Sequence, residues 1–135
     1  MKKLLLITIT SLLTLVVKAQ TSSNILAILN DINRVYSDQA DLVEPQFPGG
    51  VNALNEYTSN IARNLKKIDG GVKGAMYIDF LVEKDGHLSD LKIRYPFSGK
   101  LNEEALKEVR EMPKWIPATV KGKPVRVMYT IPIHF

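Results

Sequence analysis

An alternating run closed by a tight turn is the feature that most restricts how this chain can fold. From Val72 to Val82 every second residue is apolar or glycine, which is the pattern of a β-strand with one buried face. Lys84-Asp85-Gly86 follows, and its glycine can take the positive φ that a hairpin turn requires. A second alternating run, from Leu91 to Tyr95, predicts the return strand.

The C-terminal residues predict a third strand. From Val125 to Phe135 the odd-numbered residues are all apolar, so we expect them to face inward and the even-numbered ones to face solvent. If the connection passes over the first strand, the third strand pairs with it antiparallel, in the spatial order 2-1-3. No later residue of the sequence covers its far side, so it is expected to be an edge strand. Pro132 fits this position because proline has no N–H to donate inside a sheet.

Two amphipathic helices are predicted to cover one face of this sheet. The first follows Pro48-Gly49-Gly50 and ends at Asp69-Gly70-Gly71, and the second is predicted to be capped by Asn102 and to stop before Pro113. The order α-β-β-α-β predicts an α+β fold, a three-stranded antiparallel sheet with both helices on one face. The apolar stripes are Val51, Leu54, Tyr57, Ile61 and Leu65 in the first helix and Leu106, Val109 and Met112 in the second.

The N-terminal residues have the layout of a secretory signal. Two lysines precede an apolar run from Leu4 to Val17, and Ala19 is a small residue at a suitable cleavage position. The run is shorter than the roughly 20 apolar residues that a membrane-spanning helix needs. We therefore predict that residues 1–19 are a signal peptide and that the protein is exported to the periplasm. The alternative is an uncleaved segment that anchors it in the inner membrane.

Residues 20–43 are predicted to form a helical arm and a linker ahead of a domain that spans residues 44–135. Apolar residues recur in the arm at spacings of three and four, which indicates one face of a helix. We favour packing of this stripe on the domain's own surface, because an isolated helix of this length is marginal in water. The alternative is self-association or docking to a partner. The stripe consists of Ile25, Ile28, Leu29, Ile32, Val35 and Tyr36.

The composition argues against several classes of function. The 135 residues include no cysteine, so the chain has no disulfide, thiolate metal site or cysteine nucleophile. Loss of residues 1–19 removes three lysines and leaves 15 basic against 14 acidic residues, which is too little positive charge to favour nucleic-acid binding. His87 and His134 lack a carboxylate cluster that would complete a metal site. We predict no enzymatic activity and no cofactor.

Six short motifs occur in order along the C-terminal two thirds of the chain. They are Gln46-Phe47-Pro48-Gly49-Gly50, Val82-Glu83-Lys84-Asp85-Gly86, Leu101-Asn102-Glu103-Glu104-Ala105-Leu106, Met112-Pro113-Lys114-Trp115-Ile116-Pro117-Ala118, Gly122-Lys123-Pro124-Val125 and Ile131-Pro132-Ile133-His134-Phe135. No single motif is specific, but their order and spacing resemble the C-terminal domain of TonB proteins, in the form common in Bacteroidetes. The resemblance covers residues 45–135.

The resemblance implies a function in transmembrane transport. TonB proteins are anchored in the inner membrane and driven by a proton-motive complex, and their C-terminal domain binds a short segment of an outer-membrane transporter. The peptide joins an exposed sheet edge as an added strand. By this resemblance the peptide-binding edge strand here comprises Val125, Arg126, Val127, Met128, Tyr129, Thr130 and Ile131. Arg126, Met128 and Thr130 point away from the helices and are candidates for selectivity.

The sequence departs from the TonB pattern in two respects. It has no proline-rich spacer and, once the signal is cleaved, no stable membrane span, so nothing would connect the domain to an energy source. Ala62-Arg63-Asn64 also stands where the family usually has Tyr-Pro before the first strand. The alternative function is an envelope adaptor that binds another protein, or itself, through the same edge without energy transduction.

Overall fold

The structure, a computed structural model, describes residues 20, 24–25, 35–36 and 41–135. The predicted signal peptide lies outside the described residues, as do three of the six residues of the predicted helical stripe, Ile28, Leu29 and Ile32. Asn24 and Ile25 are helical. The chain divides into two compact units, residues 1–34 and 35–135. The elements of the second unit are β1 (Val35–Tyr36), β2 (Leu42–Val43), α1 (Gly50–Ile68), β3 (Ala75–Val82), β4 (Leu88–Ile93), α2 (Gly99–Arg110), β5 (Thr119–Val120), β6 (Lys123–Pro124) and β7 (Arg126–His134).

The main sheet has the strand order β1-β7-β3-β4. β3 lies between β4 and β7 and pairs antiparallel with both, which confirms the α+β fold and the predicted order 2-1-3. The β3–β7 register is continuous over eight residue pairs, from Ala75↔His134 to Val82↔Val127. β1 adds a short fourth strand that runs parallel to β7. A separate small sheet has the order β2-β5-β6.

The core lies between the main sheet and the two helices. Alternate residues of β3 and β7 point into it, as predicted from the alternation, and fully buried residues of both helices meet them. Each such side chain stabilises the fold by about 1.5–3 kcal/mol relative to an exposed position. The fully buried residues are Met76, Ile78, Phe80, Val82, Ile131 and Ile133 of the strands and Ile61, Leu65, Leu101, Ala105 and Val109 of the helices.

The start of α2 differs from the prediction. The helix begins at Gly99, after Ser98, so Asn102 lies inside it rather than at its cap. The Asn102 side chain instead reaches back: its Oδ1 accepts a hydrogen bond from the N–H of Phe97 at 2.9 Å, and its Nδ2 donates to the Phe97 carbonyl at 3.3 Å. It therefore pairs both backbone groups of the residue just ahead of Ser98. A capping side chain pairs backbone groups at a helix start in the same way, but Asn102 does so from inside the helix.

Trp115 is buried against three other aromatic rings, in the segment that connects α2 to the small sheet. It is 3% exposed, and its ring centroid lies 5.6 Å from Phe47, 5.5 Å from Phe80 and 5.0 Å from Tyr129. These edge-to-face arrangements add about 0.5–1.5 kcal/mol each beyond the area buried. The cluster joins the segment before α1 to β3 and β7.

Within the described part of the chain, no helix is both long and apolar enough to cross a membrane.

Candidate functional site

Six of the seven residues predicted to form the binding edge lie in β7, and the seventh does not. Val125 is buried just before the strand, and its N–H donates to the carbonyl of Ala118 at 2.9 Å. It belongs to the connection between the small sheet and β7, so its donor is already used. From Arg126 onward the side chains alternate as predicted: Val127 and Ile131 are buried, whereas Met128 is 53% exposed.

Along β7, whether a residue number is odd or even decides whether its main-chain N–H and C=O point to β3 or away from it. The N–H of Phe135 donates to the carbonyl of Gly74 at 2.9 Å, in the same register as the rest of the β3–β7 pairing. Antiparallel ladders alternate, so odd-numbered residues of β7 direct both N–H and C=O to β3 and even-numbered residues direct theirs outward. Pro132 is even-numbered, and its missing N–H therefore costs the β3–β7 ladder nothing.

The outward side of β7 is partly covered by the chain's own strand β1. Val35 pairs with Arg126 and Tyr36 pairs with Val127, both parallel. In this register a parallel ladder directs the C=O of Arg126 and the N–H of Met128 toward Tyr36. The expectation that nothing covers the far side of the last strand is therefore wrong for its first residues. It was drawn from the chain's end, whereas the covering strand comes from the arm.

The same observation corrects the prediction that Val35 and Tyr36 belong to the helical stripe. Both residues are extended in β1. Val and Tyr are favoured in strands, and a short isolated helix is only marginally stable in water. Pairing with the open edge of β7 therefore stabilises these two residues more than helix formation would.

Beyond β1, the outward main-chain groups of β7 form what we call the free border. It comprises the C=O of Met128, the N–H and C=O of Thr130, the C=O of Pro132 and both groups of His134. No strand or turn in the described ranges pairs with these groups. A row of unpaired donors and acceptors at a sheet edge is a template for another extended chain.

Two cavities lie beside the free border, on the side of the sheet that faces α1. The first, which we call the apolar cavity, has a volume of about 260 Å³ and is lined by Phe47, Val51, Leu54 and Tyr129 among others. The second, the polar cavity, has about 240 Å³ and shares Leu54. The remaining residues lining the polar cavity are Asn55, Thr58, Ser59, Ile131, Pro132 and His134.

The sequence did not predict these cavities. Val51 was expected in the buried stripe of the first helix, but it is 68% exposed at the mouth of the apolar cavity. Its exposure depends on how the first turn of α1 lies against β7, and the periodicity of the helix does not predict that arrangement.

The C-terminal part of the chain, residues 66–135, matches the sequence model of the family described as Gram-negative bacterial TonB protein C-terminal. The match covers just over half of the chain and includes β3, β4, α2 and β7. The chain belongs to the TonB C-terminal family. No curated protein and no solved structure matches it.

The family assignment fixes the general character of the domain. TonB C-terminal domains are protein-interaction modules of transport energy transduction, without enzymatic activity, and act in the periplasm of Gram-negative bacteria. In this TonB C-terminal domain, the exposed strand edge and the cavities beside it form a surface suited to binding another chain.

On its solvent face, this TonB domain links its three long strands by two groups of polar side chains. Asp79 Oδ1 lies 2.6 Å from Arg94 Nη2 and accepts a hydrogen bond from Thr130 Oγ1 at 2.7 Å. Arg126 Nη2 donates to Glu83 Oε1 at 2.6 Å, and both side chains are about three quarters buried or more. Two of the three predicted selectivity residues, Arg126 and Thr130, are thus held in cross-strand contacts, and Met128 lies exposed between them.

Acid should weaken this domain through Asp79. Partial burial raises the carboxyl pKa, but hydrogen bonds from Arg94 and Thr130 and the charge of Arg94 together lower the pKa below its ordinary value of 3.8. The unfolded chain then takes up the proton first, so the stabilisation is complete above the ordinary pKa and is lost as the pH falls through the lowered one. Urea unfolding at pH 7 and pH 3 measures this loss. Asp79→Asn should show a smaller difference between the two pH values, and an equal difference would contradict the assignment.

Proposed function

We propose that this TonB C-terminal domain binds an extended peptide of an outer-membrane transporter by strand addition at the free border of β7. The observation that carries the proposal is the row of outward main-chain groups from Met128 to His134 that no described strand pairs with. Strand addition uses such groups for affinity and alternate side-chain positions for selectivity.

The free border offers a defined set of hydrogen bonds. Thr130 supplies a donor and an acceptor, Met128 and Pro132 supply carbonyl acceptors, and His134 can complete the ladder. Each main-chain bond contributes about 0.5–1.5 kcal/mol net. The peptide gains further contact from side chains that alternate between the solvent face and the cavities beside α1.

The further features of the proposal follow the sequence. Residues 1–19 export the chain to the periplasm as a cleaved signal, residues 20–43 form the arm and linker, and residues 44–135 form the binding domain.

A second candidate function is an envelope adaptor that binds another protein or a second copy of itself through the same border. The observation that favours it is β1: a segment of this chain already pairs with β7 as an added strand. The same pairing made between two copies would give self-association.

Replacing Thr130 with proline tests strand addition. The N–H of Thr130 points to the free border and takes no part in the pairing with β1 or β3, so the sheet should survive, as it does with Pro132. A bound peptide would lose one donor and leave its own carbonyl unsatisfied, which costs about 1–3 kcal/mol, or roughly 5- to 150-fold in Kd. Titration of the ¹⁵N-labelled protein with synthetic peptides copied from transporter N-terminal segments measures the change.

The control is Thr130→Val, which loses the hydroxyl bond to Asp79 but keeps the N–H, and should bind like the parent. Amide shifts in the parent should concentrate at Thr130 and His134. A folded Thr130→Pro protein that binds with parental affinity would refute strand addition at this border. Shifts of the same amides that grow with protein concentration, with no response to any transporter peptide, would favour the self-binding adaptor.

A further inference from the structure

The two cavities beside the free border are spaced like the side chains of an added strand. Tyr129 lines the apolar cavity and Ile131 lines the polar cavity, and these residues are two apart on the same face of β7. Same-face residues of a strand are about 6.6–6.8 Å apart. A peptide paired with β7 has the same repeat, so two successive helix-facing side chains of the peptide meet the two cavities in turn.

The apolar cavity suits an aliphatic side chain. Its walls include Phe47, Leu54 and Tyr129, and no charged side chain lines it. Val51 stands at its mouth with 68% of its surface exposed, which leaves an apolar group to be covered. Removing that surface from water stabilises a complex.

The polar cavity suits a neutral side chain that can donate a hydrogen bond, because the Asn55 amide can donate or accept and the two hydroxyls beside it can accept. The hydroxyls of Thr58 and Ser59 both donate to the carbonyl of Asn55, at 3.1 Å and 2.7 Å. With their protons committed to the helix backbone, these hydroxyls have only lone pairs to offer a ligand. No carboxylate lines the cavity, so its chemistry favours a neutral donor, a hydroxyl or an amide, over a cation.

We expect the bound peptide to run in the same direction as β1. β1 already occupies the start of the same border and runs parallel to β7. A peptide that continues in that direction passes Tyr129 before Ile131, so it meets the apolar cavity first.

We propose that these cavities select the bound peptide by an aliphatic residue followed two positions later by a residue with a hydroxyl or amide side chain. The inference rests on the proposed strand addition and names the chemistry of its partner. The geometry points to Val51 and Thr58 as specificity-determining residues, because each lines one cavity while contributing little to the core.

A set of three capped heptapeptides tests the selection. The first is Gly-Val-Leu-Ala-Thr-Val-Gly, the second exchanges its leucine and threonine, and the third has alanine at both positions. The full chain should bind the first at least tenfold more tightly than the other two. Val51→Asp should weaken binding of the first about tenfold and leave the alanine peptide unchanged, and Thr58→Val should weaken the first about fivefold.

Matched variants away from the cavities control for charge and shape. Val43→Asp is the control for Val51→Asp, because Val43 is similarly exposed and lies outside both cavities. Thr119→Val is the control for Thr58→Val, because both threonines are partly buried and Thr119 lies outside both cavities. Neither should change the ranking. Border amide shifts with equal affinity for all three peptides would overturn the selection and leave strand addition intact. No shift at Thr130 or His134 with any peptide would overturn both.

Discussion

Replacing Gly86 with alanine should lower the free energy of unfolding by about 3 kcal/mol or more, a large effect for one methyl group. Gly86 has a φ of 85°, in the left-handed region, which costs a residue with a Cβ about 1–2 kcal/mol. The added Cβ would also lie 2.1 Å from the carbonyl oxygen of Trp115, a main-chain atom that no rotamer change can move. The two segments would have to separate, which would break the 2.9 Å hydrogen bond from the Trp115 N–H to the Gly86 carbonyl. Urea unfolding followed by circular dichroism measures the loss.

Gly122→Ala is the matched control. Gly122 also has a positive φ, 75°, but its added Cβ would meet nothing within 4 Å. It should cost only the conformational part, about 1–2 kcal/mol. The difference between the two variants then isolates the close approach of the hairpin turn to Trp115. Equal destabilisation by the two substitutions would show that this approach is not a constraint on the fold.

The strand pattern of this domain is predictable because burial on one face of a sheet imposes a period of two on the sequence. The alternation in β3 and β7 predicted which side chains of these strands are buried, and the glycine in Lys84-Asp85-Gly86 predicted the turn. The strand order 2-1-3 was predicted on the condition that the connection passes over the first strand, and the structure meets that condition. Each of these inferences depends on residues that are close in sequence or on the one connection between β4 and β7.

The parts that the sequence did not predict depend on contacts between distant segments. β1 is two residues long and has no detectable period, and its strand form follows from the open border of β7. The small sheet β2-β5-β6 is built from equally short strands, which show no period of two in the sequence. Within the predicted edge strand, the N–H of Val125 donates to Ala118 and the C=O of Arg126 points to β1. Pro132 and His134, which the prediction did not include, carry outward main-chain groups.

Removing the side chain of Trp115 should be about as damaging as any substitution in the domain. Trp115→Ala should lower the free energy of unfolding by about 3–5 kcal/mol, because it leaves a large cavity among Phe47, Phe80 and Tyr129. Chemical unfolding followed by far-ultraviolet circular dichroism measures this without relying on the tryptophan itself. Because Tyr129 also lines the apolar cavity beside the free border, the variant tests whether Trp115 contributes to the stability of the domain, to peptide binding, or to both.

Trp115→Phe separates these two roles. The indole Nε1 is buried and has no hydrogen-bond partner among the residues that the structure describes, so phenylalanine removes volume but breaks no polar contact. We expect it to recover more than half of the stability that alanine loses, with peptide binding close to that of the parent. A Trp115→Ala protein with parental stability but no peptide binding would contradict the structural role and make Trp115 part of the recognition surface. Loss of stability together with normal binding under conditions where the variant is folded would assign it wholly to the core.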